Sequence, residues 1–233
     1  MLCSSRAESV RTPALVSWSG GKDAAWALHT LRASAQWDVV GLLTTITDEY
    51  ERVAMDGIRR DVLHAQAAAV GLPLIEARQP CNADNTMYEA VFATALDTAR
   101  VQWPGLRHIA FGDLFLADVR AYRDALCARI GWECVYPLWG ADTSELAHTM
   151  LAGGLRARLC CVDTQQLDAG FAGCTFDAEL IDALPATVDR CGEHGEFHTC
   201  VHAGPMFMQP LALRRGETML RDGRFAFSDL LLG

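Results

Sequence analysis

The sequence has no apolar run of roughly 18 residues or more, so no membrane-spanning helix is expected. Its first eight residues, Met1 to Glu8, lack the basic-then-apolar pattern of a secretory signal, and a short tail before Pro13 is expected instead. Charge is scarce. Only 21% of residues are charged, and 29 acidic side chains against 20 basic ones give a net −9 at pH 7. A general nucleic-acid binder needs a basic face, and this balance argues against one. No internal repeat or low-complexity segment is present. Nine cysteines are an odd number in a chain too long for a disulfide-stapled miniprotein, so reduced thiols and a cytoplasmic setting are expected. Apolar residues, in contrast, make up 51% of the 233 residues, which supplies a core and rules out a disordered chain.

Three familiar site patterns are also missing. The four residues that a P-loop NTPase places between its first glycine and Gly-Lys-Ser/Thr are not found. Neither is the Gly-x-Gly-x-x-Gly dinucleotide fingerprint, and no His-Glu-x-x-His zinc pair occurs.

The first half alternates strand and helix signals. Ala14 to Trp18 reads as a buried strand, and Ala24, Ala25, Leu28 and Leu31 recur at helical spacing. Val39 to Thr45, Leu74 to Ala77, His108 to Gly112 and Cys134 to Leu138 read as further strands. Ile58 to Val70, Asn85 to Arg100 and Asp118 to Ile130 read as helices between them. This rhythm predicts an α/β fold with a five-stranded parallel sheet covered by helices on both faces. Ligands of such sheets bind beyond the carboxyl ends of the strands. The polar clusters at 19–23, 47–51 and 112–120 each follow a strand, which points to one shared site.

After residue 140 the rhythm changes. Thr143 to Ala152 reads as a helix and Ala157 to Val162 as a strand. Residues 163–190 mix short helix and turn signals. The tail from Cys191 is rich in glycines and aromatics, with turns at Gly204-Pro205 and Asp222-Gly223. Residues 1–140 are expected to form one domain and 141–233 a smaller α+β domain.

Ser19-Gly20-Gly21-Lys22-Asp23 sits between a strand and a helix N-terminus. Two glycines permit a tight turn with exposed amides, and the helix start adds partial positive charge. With the Lys22 charge and the Ser19 hydroxyl, this makes a phosphate cradle, and Asp23 is placed to orient a metal or cap the helix. Gly112 after a strand permits close ligand approach, with Asp113 and Asp118 nearby. Arg120 and Arg123 lie three apart on one helical face, a spacing that suits either an anion or surface ion pairs. Cys191 to Thr199 interleaves Glu193, His194, Glu196 and His198 with glycines. Spacing leaves open whether these bind metal, catalyse or hold a fold together.

The loop resembles the pyrophosphate loop of the N-type ATP pyrophosphatases (the PP-loop superfamily), whose core pattern is Ser-Gly-Gly-x-Asp-Ser. Within that superfamily the chain resembles the diphthine–ammonia ligase group and its bacterial relatives. The likeness rests on Val16 to Asp23, Arg52-Val53-Ala54-Met55 with Gly57 and Arg59, Phe111 to Arg123, and Tyr136 to Gly140. It continues through Cys161-Val162-Asp163, Cys191 to Thr199 and Gly204-Pro205-Met206-Phe207. Two positions depart from the pattern: Ala24 replaces the final serine, and Asp56 stands where relatives usually carry histidine.

The resemblance implies a Rossmann-like sheet of the HUP type and an ATP-dependent ligase. Such an enzyme adenylates a carboxylate and transfers ammonia, releasing AMP and pyrophosphate. It implies that Ser17, Ser19, Gly20, Gly21, Lys22 and Asp23 hold ATP, with Gly112 and Asp113 lining the nucleotide side. Lys22 and Asp23 would take part in catalysis, Asp23 as the Mg2+ ligand. Glu193, Glu196 and His198 would serve the substrate side. The implied partners are a small-molecule or protein-borne carboxylate and ammonia, free or delivered. An adenine nucleotide alpha hydrolase or an ATP-binding regulator is the competing expectation. The sequence leaves the oligomeric state open, a homo-oligomer included.

Overall fold

The computed structural model describes residues 11–233, so most of the tail expected before Pro13 lies outside the described residues. The chain opens with β1 (Thr12–Ser17), α1 (Lys22–Ala33), β2 (Trp37–Thr47), β3 (Arg52–Val53) and α2 (Arg60–Val70). It continues with β4 (Leu74–Gln79), α3 (Asn85–Gln102), β5 (His108–Ala110), α4 (Ala117–Arg129) and β6 (Glu133–Val135).

Strand pairing runs β4-β2-β1-β5-β6, and every pair in that series is parallel. The expected five-stranded parallel sheet needs one correction. The sheet has six strands and is mixed, because β3 pairs antiparallel with Ile46 and Thr47 at the carboxyl end of β2. β3 is two residues long and completes a hairpin that begins in the acidic turn after β2.

Side chains of the central strands alternate between two cores, as pleating requires. Leu15 and Leu43 pack with Phe92, Leu96 and Leu126 under α3 and α4. Val16 and Leu42 pack on the other face with Leu28, Leu31 and Leu63 from α1 and α2. Burial on both faces explains why Ala14, Leu15 and Val16 form an unbroken apolar run.

The second half supplies α5 (Thr143–Ala152), β7 (Arg156–Asp163), a short 3-10 turn (Ala169–Phe171), β8 (Thr175–Phe176) and α6 (Ala178–Ala183). The turn-rich tail then resolves into three strands, β9 (Phe197–Ala203), β10 (Leu213–Arg221) and β11 (Phe225–Leu232). These build an antiparallel sheet in the order β10-β11-β7-β8, with β9 also on β7. The apolar core under α1 and α2 continues into this sheet through Leu159, Phe176, Phe197 and Val201, across the expected boundary at 140. No helix among the described residues is long and apolar enough to cross a membrane.

Strand order reverses at β1. The chain steps outward to β2 and β4, then returns to lay β5 on the other edge of β1. Such a reversal opens a crevice at the strand ends.

Candidate functional site

The loop after β1 fills that crevice. Gly20 takes a φ of +82°, which glycine adopts without strain, and a Cβ there would press on Gln66 Oε1 at 2.5 Å. Gln66, fully buried on α2, donates from Nε2 to the carbonyls of Gly20 at 3.0 Å and Val201 at 2.7 Å. It also accepts from Trp18 Nε1 at 3.2 Å. The loop is thus pinned to β9 of the second sheet.

Gly21 caps α1 but has no side chain to receive the first helical amides. The Lys22 amide instead donates to Thr199 Oγ1, 177 positions away, at 3.0 Å. The Gly21 amide donates to Ser19 Oγ at 3.2 Å. The amides of Asp23 and Ala24 have no partner among the described residues, and both residues line the cavity beside the loop. Among the described residues the Ser19 and Gly20 amides are likewise without a partner, whereas those of Gly21 and Lys22 are spent on Ser19 and Thr199.

The cavity has a volume of about 210 Å³. Ser17, Ser19, Gly21 and Asp23 form one wall, and Gly112 and Asp113 form another. Asp56, Glu193, His198 and Thr199 close it from the opposite side. Four segments of the chain, from Ser17 to Thr199, therefore meet in one place. Gly112 packs directly on the first turn of α1, where a Cβ would lie 2.7 Å from the Asp23 carbonyl carbon and 2.8 Å from the Ala24 nitrogen.

Three expected site residues do not line this cavity: Gly20, which packs against Gln66, and the charged residues Lys22 and Glu196. Lys22, the one lysine of the chain, is buried, and its ammonium turns away toward the second sheet. There it donates to Asp23 Oδ2 at 2.8 Å and to the Cys191 carbonyl, with the Phe197 ring centroid at 5.4 Å. Burial alone would lower the Lys22 pKa, but Asp23 and its other anionic neighbours override this, so it rises above the usual lysine value. Glu196 is 1% exposed and spends both oxygens on backbone amides. Oε1 accepts from Asp189 N and Oε2 from His194 N, each at 2.9 Å. It braces the 189–196 loop, whose Asp189 Oδ1 in turn accepts from the amides of Cys191 and Glu193.

The remaining carboxylates crowd the cavity and are pushed toward the neutral form. Burial raises Glu193 to about 7, against hydrogen bonds its Oε1 accepts from the amides of Leu114 and Phe115. Burial raises Asp56 to about 6, opposed by His198, whose Nδ1 lies 3.6 Å from Asp56 Oδ1. Asp113 and Asp23 are raised by burial too, opposed by Arg123 and Lys22 respectively. The Arg120–Arg123 pair splits. Arg123 lines the cavity beside Asp113 and stacks on Phe111 at 4.3 Å, whereas Arg120 stacks on Tyr136 and Trp139 at 4.7 and 4.6 Å.

The cavity's carboxylates suit Mg2+ by their chemistry. Asp23 Oδ1 is buried with no hydrogen-bond partner, and carboxylates that burial pushes toward the neutral form, with a lesser contribution from one another, favour a cation between them. Among the described residues no three His, Cys, Asp or Glu side chains converge on one point. Magnesium commonly takes one or two carboxylates and fills its shell with water and phosphate oxygens, which fits this arrangement.

The sequence reading missed Thr199 as the distant helix cap, Gln66 as the loop's anchor, and Asp56 as the partner of His198. Gln66 left one trace, a lone amide among alanines on the buried face of α2.

The diphthamide synthase N-terminal domain profile matches residues 12–134, and the C-terminal domain profile matches residues 142–225. A diphthine–ammonia ligase of Schizosaccharomyces pombe is 26% identical over 221 residues, covering 86% of this chain and 36% of that protein. The chain therefore spans about a third of that relative's length. The two profiles meet in this molecule at one cavity built jointly by the Ser-Gly-Gly loop and the 189–199 loop, and the chain belongs to the diphthamide synthase family.

Proposed function

We propose that the protein is an ATP-dependent ligase that adenylates a carboxylate and transfers ammonia to it, releasing AMP and pyrophosphate. The observation that carries this reading is the meeting of both domains' polar clusters in one cavity at the strand-order reversal. At about 210 Å³ it is smaller than a whole-ligand pocket, so it suits the phosphate end of a nucleotide and the reacting carboxylate.

The free amides of Asp23 and Ala24 at the positive end of α1 would bind phosphate oxygens, with Ser17 and Ser19 beside them. Asp23, with Asp113 close by, would hold magnesium, which when bound offsets phosphate charge and stabilises the departing pyrophosphate. Gly112 sets how closely the β5–α4 loop approaches the α1 backbone, and so fixes the depth of the site. Glu193, with a pKa near 7, can accept a proton from the attacking ammonia at neutral pH. Lys22 acts by fixing the Asp23 carboxylate and the 191 carbonyl rather than by touching phosphate. The loops from both halves would exclude water from the adenylate.

A nucleotide hydrolase or ATP-binding regulator without a ligase step is favoured by one observation. The chain's only lysine is spent on an internal ion pair. Product analysis separates the readings. Purified protein with MgATP, ammonium and a panel of carboxylic acids should form AMP and pyrophosphate only when an acceptor and ammonium are both present. Formation of ADP, or of AMP at the same rate without ammonium, overturns the ligase.

A further inference from the structure

Beside the 210 Å³ cavity lies a larger one of about 1010 Å³, walled by the turn after β2 on one side and by β10 and β11 on the other. His198 lines both cavities, and the segment Met55-Asp56-Gly57 divides them. Met55 and Gly57 face the larger cavity, and Asp56 the smaller. Met55 and Gly57 both have positive φ, 69° and 71°, and a Cβ at Gly57 would strike the Phe227 ring at 2.6 Å. This partition is therefore packed tightly against β11.

Two features mark the larger cavity as built for a ligand. Large apolar side chains that would ordinarily be covered stand at its rim: Tyr50 is 53% exposed, Met55 75% and Met219 47%. Its wall also holds an oriented, unpaired guanidinium. Arg221 lies between two rings, 5.2 Å from the Tyr50 centroid and 5.5 Å from that of Phe227. Among the described residues its guanidinium makes no hydrogen bond or ion pair, so its donors remain available. Arg214 also lines the cavity without a partner, whereas Arg52 and Arg59 are both committed to Asp229. Glu217 and Asp222 are exposed at the mouth and reach neither free arginine. A nucleoside is neutral and calls for no guanidinium. Stacked arginines suit planar or tetrahedral anions.

Resting on the ligase reading, we infer that this cavity is the acceptor site. It takes a carboxylic acid that bears a second anionic group, with the reacting carboxylate delivered past His198 and the second anion held by Arg221.

Titration calorimetry on the full chain saturated with magnesium and a non-hydrolysable ATP analogue tests this. Benzene-1,3-dicarboxylate and 4-carboxyphenyl phosphate are the probes, and benzoate is the control lacking the second anion. At least one probe should bind tenfold or more tightly than benzoate, and the stronger of the two identifies the second group. Arg221→Gln should abolish that advantage. Should Arg221→Gln lose its fold by circular dichroism, the exposed Arg214→Gln should reduce the advantage severalfold. Equal binding of probes and benzoate, an advantage unchanged in a folded Arg221→Gln, or probes that bind the analogue-free protein but not the saturated one overturns the assignment. Probe binding in a protein that forms no AMP would retain the anion site and discard the ligase.

Discussion

Burial pushes the Asp56 carboxyl up to about 6, and His198 only partly opposes it. An unfolded aspartate titrates near 3.8, so between about 4 and 6 the folded chain binds more protons than the unfolded one. Stability contributed at this position is present at low pH and is lost as pH rises through that window. Asp56→Asn keeps the shape and removes the charge. It should be more stable than the parent at pH 8 by on the order of 2 kcal/mol, with the gap closing toward pH 4. Urea unfolding at a series of pH values reads this directly, and a gap independent of pH would refute it. Residues at this scale were unevenly legible. Ser19, Asp23, Gly112 and Asp113 could be placed because each follows a strand whose end must face the crevice. The roles of Lys22 and Glu196 could not be read. A charged side chain next to a site may face the ligand or the protein's own backbone, and the choice here depends on the Cys191 carbonyl and the Asp189 amide.

Elements were legible where burial imposes a period and hidden where it does not. The α5 bounds of Thr143 and Ala152 and the αL glycine ending α2 at Gly71 follow from spacing and stop signals. β10 is exposed along most of its length, so its sequence carries no alternation to read, and β3 is too short to show one. The contact between the β5–α4 loop and α1 is the element-level feature on which the site depends. Gly112→Ala would place a methyl 2.7 and 2.8 Å from backbone atoms of Asp23 and Ala24, neither of which can rotate away. The first turn of α1 must then shift, moving both free amides. Overpacking of this kind costs about 1–3 kcal/mol. Affinity for a magnesium-bound ATP analogue should fall at least tenfold, about 1.4 kcal/mol. A calorimetric titration showing unchanged affinity would mean that the amides do not grip phosphate.

At the scale of the whole molecule, the question is whether the two halves stand alone. The change of rhythm at 140 predicts two domains, and an apolar core runs between the two halves. The apolar core under α1 and α2 is completed by Phe176, Phe197 and Val201 from the second sheet. The site loop is held by Thr199 and the Val201 carbonyl through Gln66. Arg59 makes a two-pronged contact with Asp229, its Nη2 at 2.7 Å from Oδ2. Chains of this size commonly unfold in several steps when their domains are independent. Here the shared core couples them, and a single transition is expected. The sequence provides separate reporters for the two halves. All six tryptophans, from Trp18 to Trp139, precede residue 140, whereas Cys160, Cys161 and Cys200 are buried in the second sheet. Tryptophan fluorescence and pulsed alkylation of those three thiols, followed through a urea series, should share one midpoint. If the thiols become reactive while the tryptophans remain native, the second sheet is a separate unit, and the cavity between the halves would open and close with it.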